Sequence, residues 1–487
     1  MGDGIKAKMI NGLAWTSVNV FGMQAVQLVI GIFLARILIV DDFGKIGILF
    51  FFVGLSTVLI DGGFGQALLR KKDITSSDYS TFFYLNIATS VMLYLLLYAA
   101  APFISSFFNE PELTDIARVL FLSVLLFSLY FVQHVSLLKK LDYKSVAIIN
   151  ISAVAISGLV ALLLAFWNYG VWVLVYQQLS FHLVKVLLYP VFHKWRPIAA
   201  FSVDVIRQNM RFSVGIFLQT ALNVIFTNIY TLLIAKLYSI KSTGYYTQAN
   251  KYSETVNTIS NSILTAGTYP VFAQIQDDKE RLLRVYRTLI TSVTLLIFPL
   301  IFFLIAVAQP LIVTIITDKW LMSVPFFQLL LAANLFQSVY SVNINILNAR
   351  GQSRDTLKLE ISKKSLIVFS ILGCYQLGIA EMLIGLLIAN FISFALSMRL
   401  IKNAFTHYYR HQILDLLRTL IMSAVLATAI YPLTFLNFPS YLIVLLQSVL
   451  FFILYLAGVY FLFPAKWQEA LAFLIEKLGG RASMKKQ

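Results

Sequence analysis

Residues 34–47 read LARILIVDDFGKIG, and residues 234–247 read IAKLYSIKSTGYYT. At a constant offset of 200, Ala35 matches Ala235, Arg36 matches Lys236 and Gly44 matches Gly244. Each stretch closes one long apolar run and opens the next. A pattern that recurs at equivalent places in two sets of spans predicts an internal duplication.

Working outward from these two turns, fourteen stretches have the length and apolarity to cross a bilayer core, which takes roughly 20 helical residues. They are 12–35, 44–65, 81–108, 114–137, 145–166, 170–192, 213–237, 252–273, 288–308, 325–348, 364–379, 381–401, 417–436 and 440–463. Span one pairs with span seven, and span two with span eight. Six spans, an even number, separate the copies, so both halves share one orientation. The expected fold is an all-α polytopic membrane protein of about 14 transmembrane helices. Two six-helix lobes form a parallel pseudo-repeat, followed by two C-terminal helices. The expected domains are 1–200 for the N-lobe, 201–405 for the C-lobe, and 406–487 for spans thirteen and fourteen with an amphipathic cytoplasmic tail.

Composition agrees. Of 487 residues 59% are hydrophobic and only 12% charged, against about 25% charged in a soluble domain. These values exclude soluble, disordered, collagenous and disulfide-rich secreted classes. One cysteine, Cys374, permits no internal disulfide and no cysteine-based metal site. The net charge of +16 would suggest nucleic acid in a soluble protein, but here it reports orientation. With the N-terminus inside, the inner segments hold 30 Lys and Arg, the outer segments 6, and Arg118 and Lys185 fall within spans. The positive-inside rule therefore places both termini in the cytoplasm. The first span is too long for a cleaved signal. Trp467, Leu471, Leu474 and Leu478 share one helical face, which predicts an interfacial helix over 465–478.

The longest outer connections are expected near 238–251 and 309–324, about 15 residues each. The others span a few residues. That leaves little room for an extramembrane catalytic segment, so no enzyme is expected. No Walker A sequence is present, and Gly62-Gly63-Phe64-Gly65 lies at a span end rather than in a strand-to-helix turn. His407 and His411 flank Arg410 in a cytoplasmic loop and read as solvated charge. No cofactor, metal or nucleic-acid partner is expected.

Polar residues inside spans define the candidate site. Span ten carries Asn334, Gln337, Ser341, Asn345 and Asn348 on one face. Span one has Thr16, Asn19 and Gln27, with Gln24 adjoining. Span seven has Gln219, Asn223 and Thr227, and span eight has Ser253, Asn257 and Asn261. Interhelical hydrogen bonding accounts for any one stripe. Stripes on the repeat-paired spans one, seven and eight predict a shared hydrated cavity, whose amides and hydroxyls suit sugar hydroxyls. Ionisable groups in or near spans are functional candidates because charge in lipid is costly. Arg118 is a candidate to face the cavity. Asp61 and Arg70 are candidates at the inner rim, where Asp61 is open to an ion pair or to a proton or cation site. Prolines 102, 270, 299, 310, 325 and 432 lie in or near spans and permit bends.

The run Gly12-Leu13-Ala14-Trp15, then Leu34-Ala35-Arg36-Ile37-Leu38 and Asp42-Phe43-Gly44, resembles the start of the bacterial polysaccharide flippases. So do Asp61-Gly62-Gly63-Phe64-Gly65, Ala67-Leu68-Leu69-Arg70, and Tyr245-Tyr246 with Ala249-Asn250-Lys251-Tyr252. These flippases belong to the multidrug/oligosaccharidyl-lipid/polysaccharide exporter superfamily, and the chain is most similar to the colanic-acid, teichuronic-acid and O-antigen branch. The resemblance implies transfer of undecaprenyl-pyrophosphate-linked oligosaccharide repeat units across the bacterial cytoplasmic (inner) membrane by alternating access. It implies lipid-linked oligosaccharide, membrane lipid and polysaccharide polymerase machinery as partners. A cation-coupled exporter of small amphiphiles, which shares the superfamily fold, is the alternative. A membrane-bound glycan polymerase or ligase is disfavoured by the short outer loops.

Overall fold

The computed structural model of the chain describes residues 2–265, 272, 275, 278–404, 409–464, 467 and 468. Among these residues the regular structure is helical, with no strand. The helices are α1 (Gly2–Ile37), α2 (Val40–Asp61), α3 (Phe64–Arg70), α4 (Ser76–Phe108), α5 (Leu113–Leu120), α6 (Leu122–Lys139), α7 (Tyr143–Phe166) and α8 (Trp172–Phe192). They continue as α9 (Val203–Leu237), α10 (Ile240–Thr265), α11 (Lys279–Ile316), α12 (Val324–Ala333), α13 (Gln337–Ala349), α14 (Ser353–Cys374), α15 (Ile379–Ala404), α16 (Tyr409–Ile430) and α17 (Ser440–Leu462). With the pairs α2–α3, α5–α6 and α12–α13 each counted as one, the described residues form fourteen helical segments at the expected places, although the end of expected span eight lies outside the described residues. The interfacial helix over 465–478 and the loop with His407 lie outside the described residues, as does Pro270.

Eleven of the passes are individually long and apolar enough to cross a membrane. The other three, α8, α10 and α14, carry groups such as His182, Lys251 and Lys363. Such side chains need protein or water as neighbours, which lowers the apolarity of the helix that bears them.

The two long outer loops do not exist as loops, which corrects the expectation for 238–251 and 309–324. Helix α9 runs to Leu237 and α10 begins at Ile240. Helix α11 continues to Ile316, and a 3-10 turn over Asp318–Ser323 leads into α12. Continuing the helix satisfies backbone groups that an open loop would leave to solvent. The polar opening of α10 hid this in the hydropathy pattern. Among the in-span prolines, α4 runs through Pro102 and α11 through Pro299 and Pro310.

Helix ends follow local chemistry. Thr75 and Asp78 form a reciprocal capping box at α4. Asp142 caps α7 by accepting from the Ser145 N–H at 3.1 Å. Between α2 and α3 the chain turns through Gly62 (φ 53) and Gly63 (φ 77), a left-handed conformation that favours glycine. A Cβ on Gly63 would also strike the Ser213 backbone of α9, so this glycine permits close helix contact.

Packing divides the chain into two compact units, Met1–Thr255 and Val256–Gln487. In the first unit α1 packs on α7, α7 on α8, α4 on α6, and α9 on α2. In the second, α11 packs on α16 and α17 around Leu295, Met422, Leu426 and Phe451, and α14 packs on α15. Buried Asn343 is satisfied there by Tyr286, which donates at 2.5 Å, and by Ser397, which accepts at 2.9 Å.

Candidate functional site

The two repeat turns meet. A Cβ on Gly44 would run into the carbonyl oxygen of Ile240, and a Cβ on Gly244 into that of Val40. Val40 and Ile240 are themselves separated by 200, so the contact is reciprocal. One helical turn on, Gly47 lies against Thr247, again its own repeat mate. Only a residue without a side chain lets two helix starts approach backbone to backbone. Further contacts hold this end of the first unit. Lys45, nearly buried, bonds Glu110 at 3.2 Å and Glu112 at 2.5 Å. Lys236 donates to the Phe107 carbonyl at the end of α4, at 2.7 Å, and lies 4.4 Å over the Phe107 ring. A cation there complements the carbonyl end of the helix dipole.

Beyond the glycine contact, α1 presents Gln24, Gln27 and Gly31. Gln27 and Gly31 are four apart and share a face. Lys251 of α10 comes down on that face, with Nζ against Gly31. It sits seven residues from Gly244, about 10 Å along the helix. Lys251 is exposed as a residue, while its ammonium rests on the backbone of buried Gly31 and has no carboxylate partner among the described residues. On α9, Gln219, Asn223 and Thr227 recur at intervals of four and are all exposed. Exposed amides and hydroxyls on such helices are candidates to line a hydrated space.

Residues 33–325, which contain both repeat turns and Lys251, match the family described as "Polysaccharide biosynthesis protein". The chain belongs to the polysaccharide biosynthesis protein family. It is 25% identical to the Lipopolysaccharide biosynthesis protein WzxC of Escherichia coli (strain K12), over 85% of each chain. It is 25% identical to the Teichuronic acid biosynthesis protein TuaB of Bacillus subtilis (strain 168), over 72% of this chain and 73% of that one. Among solved structures, a Lipid II flippase MurJ in an inward closed conformation superposes with a TM-score of 0.72 at 13% identity, over 92% of this chain and 98% of that one. An inward-facing multidrug resistance MATE family transporter gives 0.58 at 15% identity, over 83% and 95%. At such identities the likeness establishes the fold alone, a multi-pass helical membrane architecture.

Within this family member, the other predicted site residues fall into distinct settings. Asn19 accepts a hydrogen bond from Asn150 of α7 at 3.2 Å, the interhelical bonding its stripe also allowed. Asn257 is half-buried on α10, and the Asn261 side chain lies outside the described residues. Asn334 ends α12 at a break in span ten. Gln337 accepts from Lys363 of α14 at 2.8 Å, while Ser341 and Asn345 are half-buried on α13. Arg118 lies in α5, 4.6 Å over the Tyr98 ring of α4, and its buried Nε has no hydrogen-bond partner. Asp61 accepts the Gly65 N–H at 2.8 Å, so its carboxylate caps α3 across the Gly62-Gly63 turn. Arg70 stacks 4.6 Å over Phe212 of α9.

Lys251 is the residue that sequence reasoning missed. The expected outer connection over 238–251 includes it, because α10 is too polar to be recognised by apolarity. The signal was in the repeat. If α10 starts at Ile240 as α2 starts at Val40, then Lys251 falls three turns inside a helix.

Proposed function

We propose that the chain moves polyprenyl-diphosphate-linked oligosaccharide repeat units across the bacterial cytoplasmic membrane by alternating access, for surface polysaccharide assembly. The observation that carries this reading is Lys251, a lysine three turns inside α10 whose ammonium rests on the Gln27–Gly31 face of α1 with no carboxylate partner among the described residues. A diphosphate must cross a region where unpaired charge is costly, and a fixed cation on the route offsets part of that cost. Nearby amides offer both donors and acceptors for sugar hydroxyls. The excess of Lys and Arg on one side supports an orientation with both termini cytoplasmic. The Gly44–Gly244 contact then closes the outer end, and the pathway opens inward. Names of relatives such as the Succinoglycan biosynthesis transport protein ExoT of Rhizobium meliloti (strain 1021), 24% identical over 72% of this chain and 71% of its own, support transport rather than catalysis. The family match favours a glycolipid over small amphiphilic drugs.

The test is complementation of a strain lacking the chain. Lys251→Gln, stably inserted, should accumulate single lipid-linked units on the cytoplasmic face, while Lys251→Arg should restore part of the export. Single units displayed outside would instead indicate a polymerase and overturn the reading.

A further inference from the structure

A cavity of about 660 Å³ lies where the end of α3 meets the opening turns of α9, at the opposite end of the first unit from the glycine contact. Its walls include Arg70, Lys71, Gln208, Asn209, Arg211 and Phe212. Its volume falls within the range of small-molecule sites. Three of these side chains are cationic, and they differ in how they are held. Lys71 is bound by Asp78 at 2.8 Å. Arg70 and Arg211 have no carboxylate partner among the described residues. The Arg70 guanidinium is oriented by Phe212, whose ring lies 4.6 Å beneath it. Held over an apolar ring rather than by a carboxylate, a guanidinium keeps N–H donors for an oxyanion, which it can grip in two-pronged fashion. The end of α3 is held as well, because Lys139 donates to the carbonyls of Leu68, Leu69 and Lys71. Its ammonium adds to the positive field while fixing the turn that carries Arg70.

Arg70 is the last residue of Val40–Arg70, a segment long and apolar enough to cross a membrane. The cavity therefore opens at the depth of lipid headgroups. A soluble anion could reach it from water, but the depth favours an anion whose tail remains in the bilayer. The geometry points to a diphosphate-loading site here, in which Arg70 and Arg211 capture the diphosphate of a prenyl-linked substrate before the substrate advances to Lys251. This assignment rests on the transport reading and adds a second, separate cation site at the entrance. Gln208 adds an amide to the cavity wall, whereas the Asn209 amide already donates to the Val205 carbonyl at 2.8 Å.

The experiment uses the full-length purified chain and farnesyl diphosphate as probe, with inorganic pyrophosphate as competitor. Arg70→Gln and Arg211→Gln should each weaken probe binding by about tenfold, the loss expected of one charge-assisted hydrogen-bonding group. Arg70→Lys should retain part of the affinity. Phe212→Leu should weaken binding severalfold, which tests the site without removing a charge. Lys72→Gln, which alters a neighbouring exposed cation outside the cavity, should bind as the parent does. Pyrophosphate should compete less well than the prenyl form. Three results overturn the loading site: unchanged binding in folded Arg70→Gln and Arg211→Gln proteins, an equal loss in Lys72→Gln, or equal competition by pyrophosphate, which would mark a soluble-anion site. Failure of this site alone leaves the Lys251 export phenotype intact. A parent chain that binds no prenyl diphosphate would overturn the transport reading along with it.

Discussion

Gly44 and Gly244 pack backbone to backbone, each beneath the first carbonyl of the other's helix, Ile240 for Gly44 and Val40 for Gly244. The contact is isologous: residue and partner exchange when 200 is added to one and subtracted from the other. In an oligomer this is the mark of a two-fold axis. Here it lies within one chain, between α2 and α10, and Gly47 against Thr247 continues it along the same line.

Adding a methyl group at either glycine should force the two helix starts apart. Gly44→Ala and Gly244→Ala are each expected to cost about 1–3 kcal/mol at this contact, the usual range for overpacking. Because both break one contact, the double variant should cost less than the sum of the two. A cysteine at position 247 on a Cys374-free background should become more reactive toward an impermeant reagent in either variant. Gly215→Ala meets nothing within 4 Å and should leave that reactivity unchanged. Equal reactivity in all three would show that the glycines do not hold this end shut.

Single cysteines should divide the polar stripe of α1 in two. Gln27→Cys faces the Lys251 side and should react readily with small hydrophilic thiol reagents, as should Thr227→Cys on α9. Asn19→Cys should be protected, since Asn19 packs with Asn150 across the α1–α7 interface. Uniform protection at all three positions would remove the hydrated face.

Arg118 illustrates how a charge within a span can have a local partner. Its guanidinium rests 4.6 Å over Tyr98, a contact worth about 0.5–2 kcal/mol. Arg118→Ala and Tyr98→Leu should each lower the unfolding midpoint slightly, and their effects should not add. Export per folded molecule should remain near that of the parent in Arg118→Gln. Loss of export in a normally folded Arg118→Gln protein would instead assign Arg118 to the cavity.

His193, just beyond the end of α8, sits between Ser136 at 3.0 Å and Lys140 at 3.1 Å. Burial, reinforced by the Lys140 charge, holds its imidazole below the ordinary histidine value. The unfolded chain therefore binds a proton more readily than the folded one. Stability from this group should be present above about pH 6.5, the unfolded value, and should decline as pH falls below it. Melting curves in detergent between pH 8 and pH 5 should show this decline, and His193→Asn should flatten it. An unchanged slope in that variant would place the dependence elsewhere.

The sequence alone determined the helical multi-pass fold and the family resemblance, and it predicts the internal duplication and the direction of the passes. All of these depend on periodicity, apolarity and the distribution of charge, which are local or additive along the chain. It also named Gly44 and Gly244 as equivalent positions. It did not show that they touch, because two positions 200 residues apart carry no sign of proximity in their own neighbourhoods. Tertiary structure decided which polar groups are already engaged. Asn19 is bonded to Asn150, Gln337 to Lys363, and Asp61 to the Gly65 N–H, whereas Gln27 is exposed and Lys251 has no carboxylate partner among the described residues. A periodic polar stripe looks the same in sequence whether it meets another helix or water. Only the packing of α1 against α7 on one side and the approach of α10 on the other separate the two outcomes.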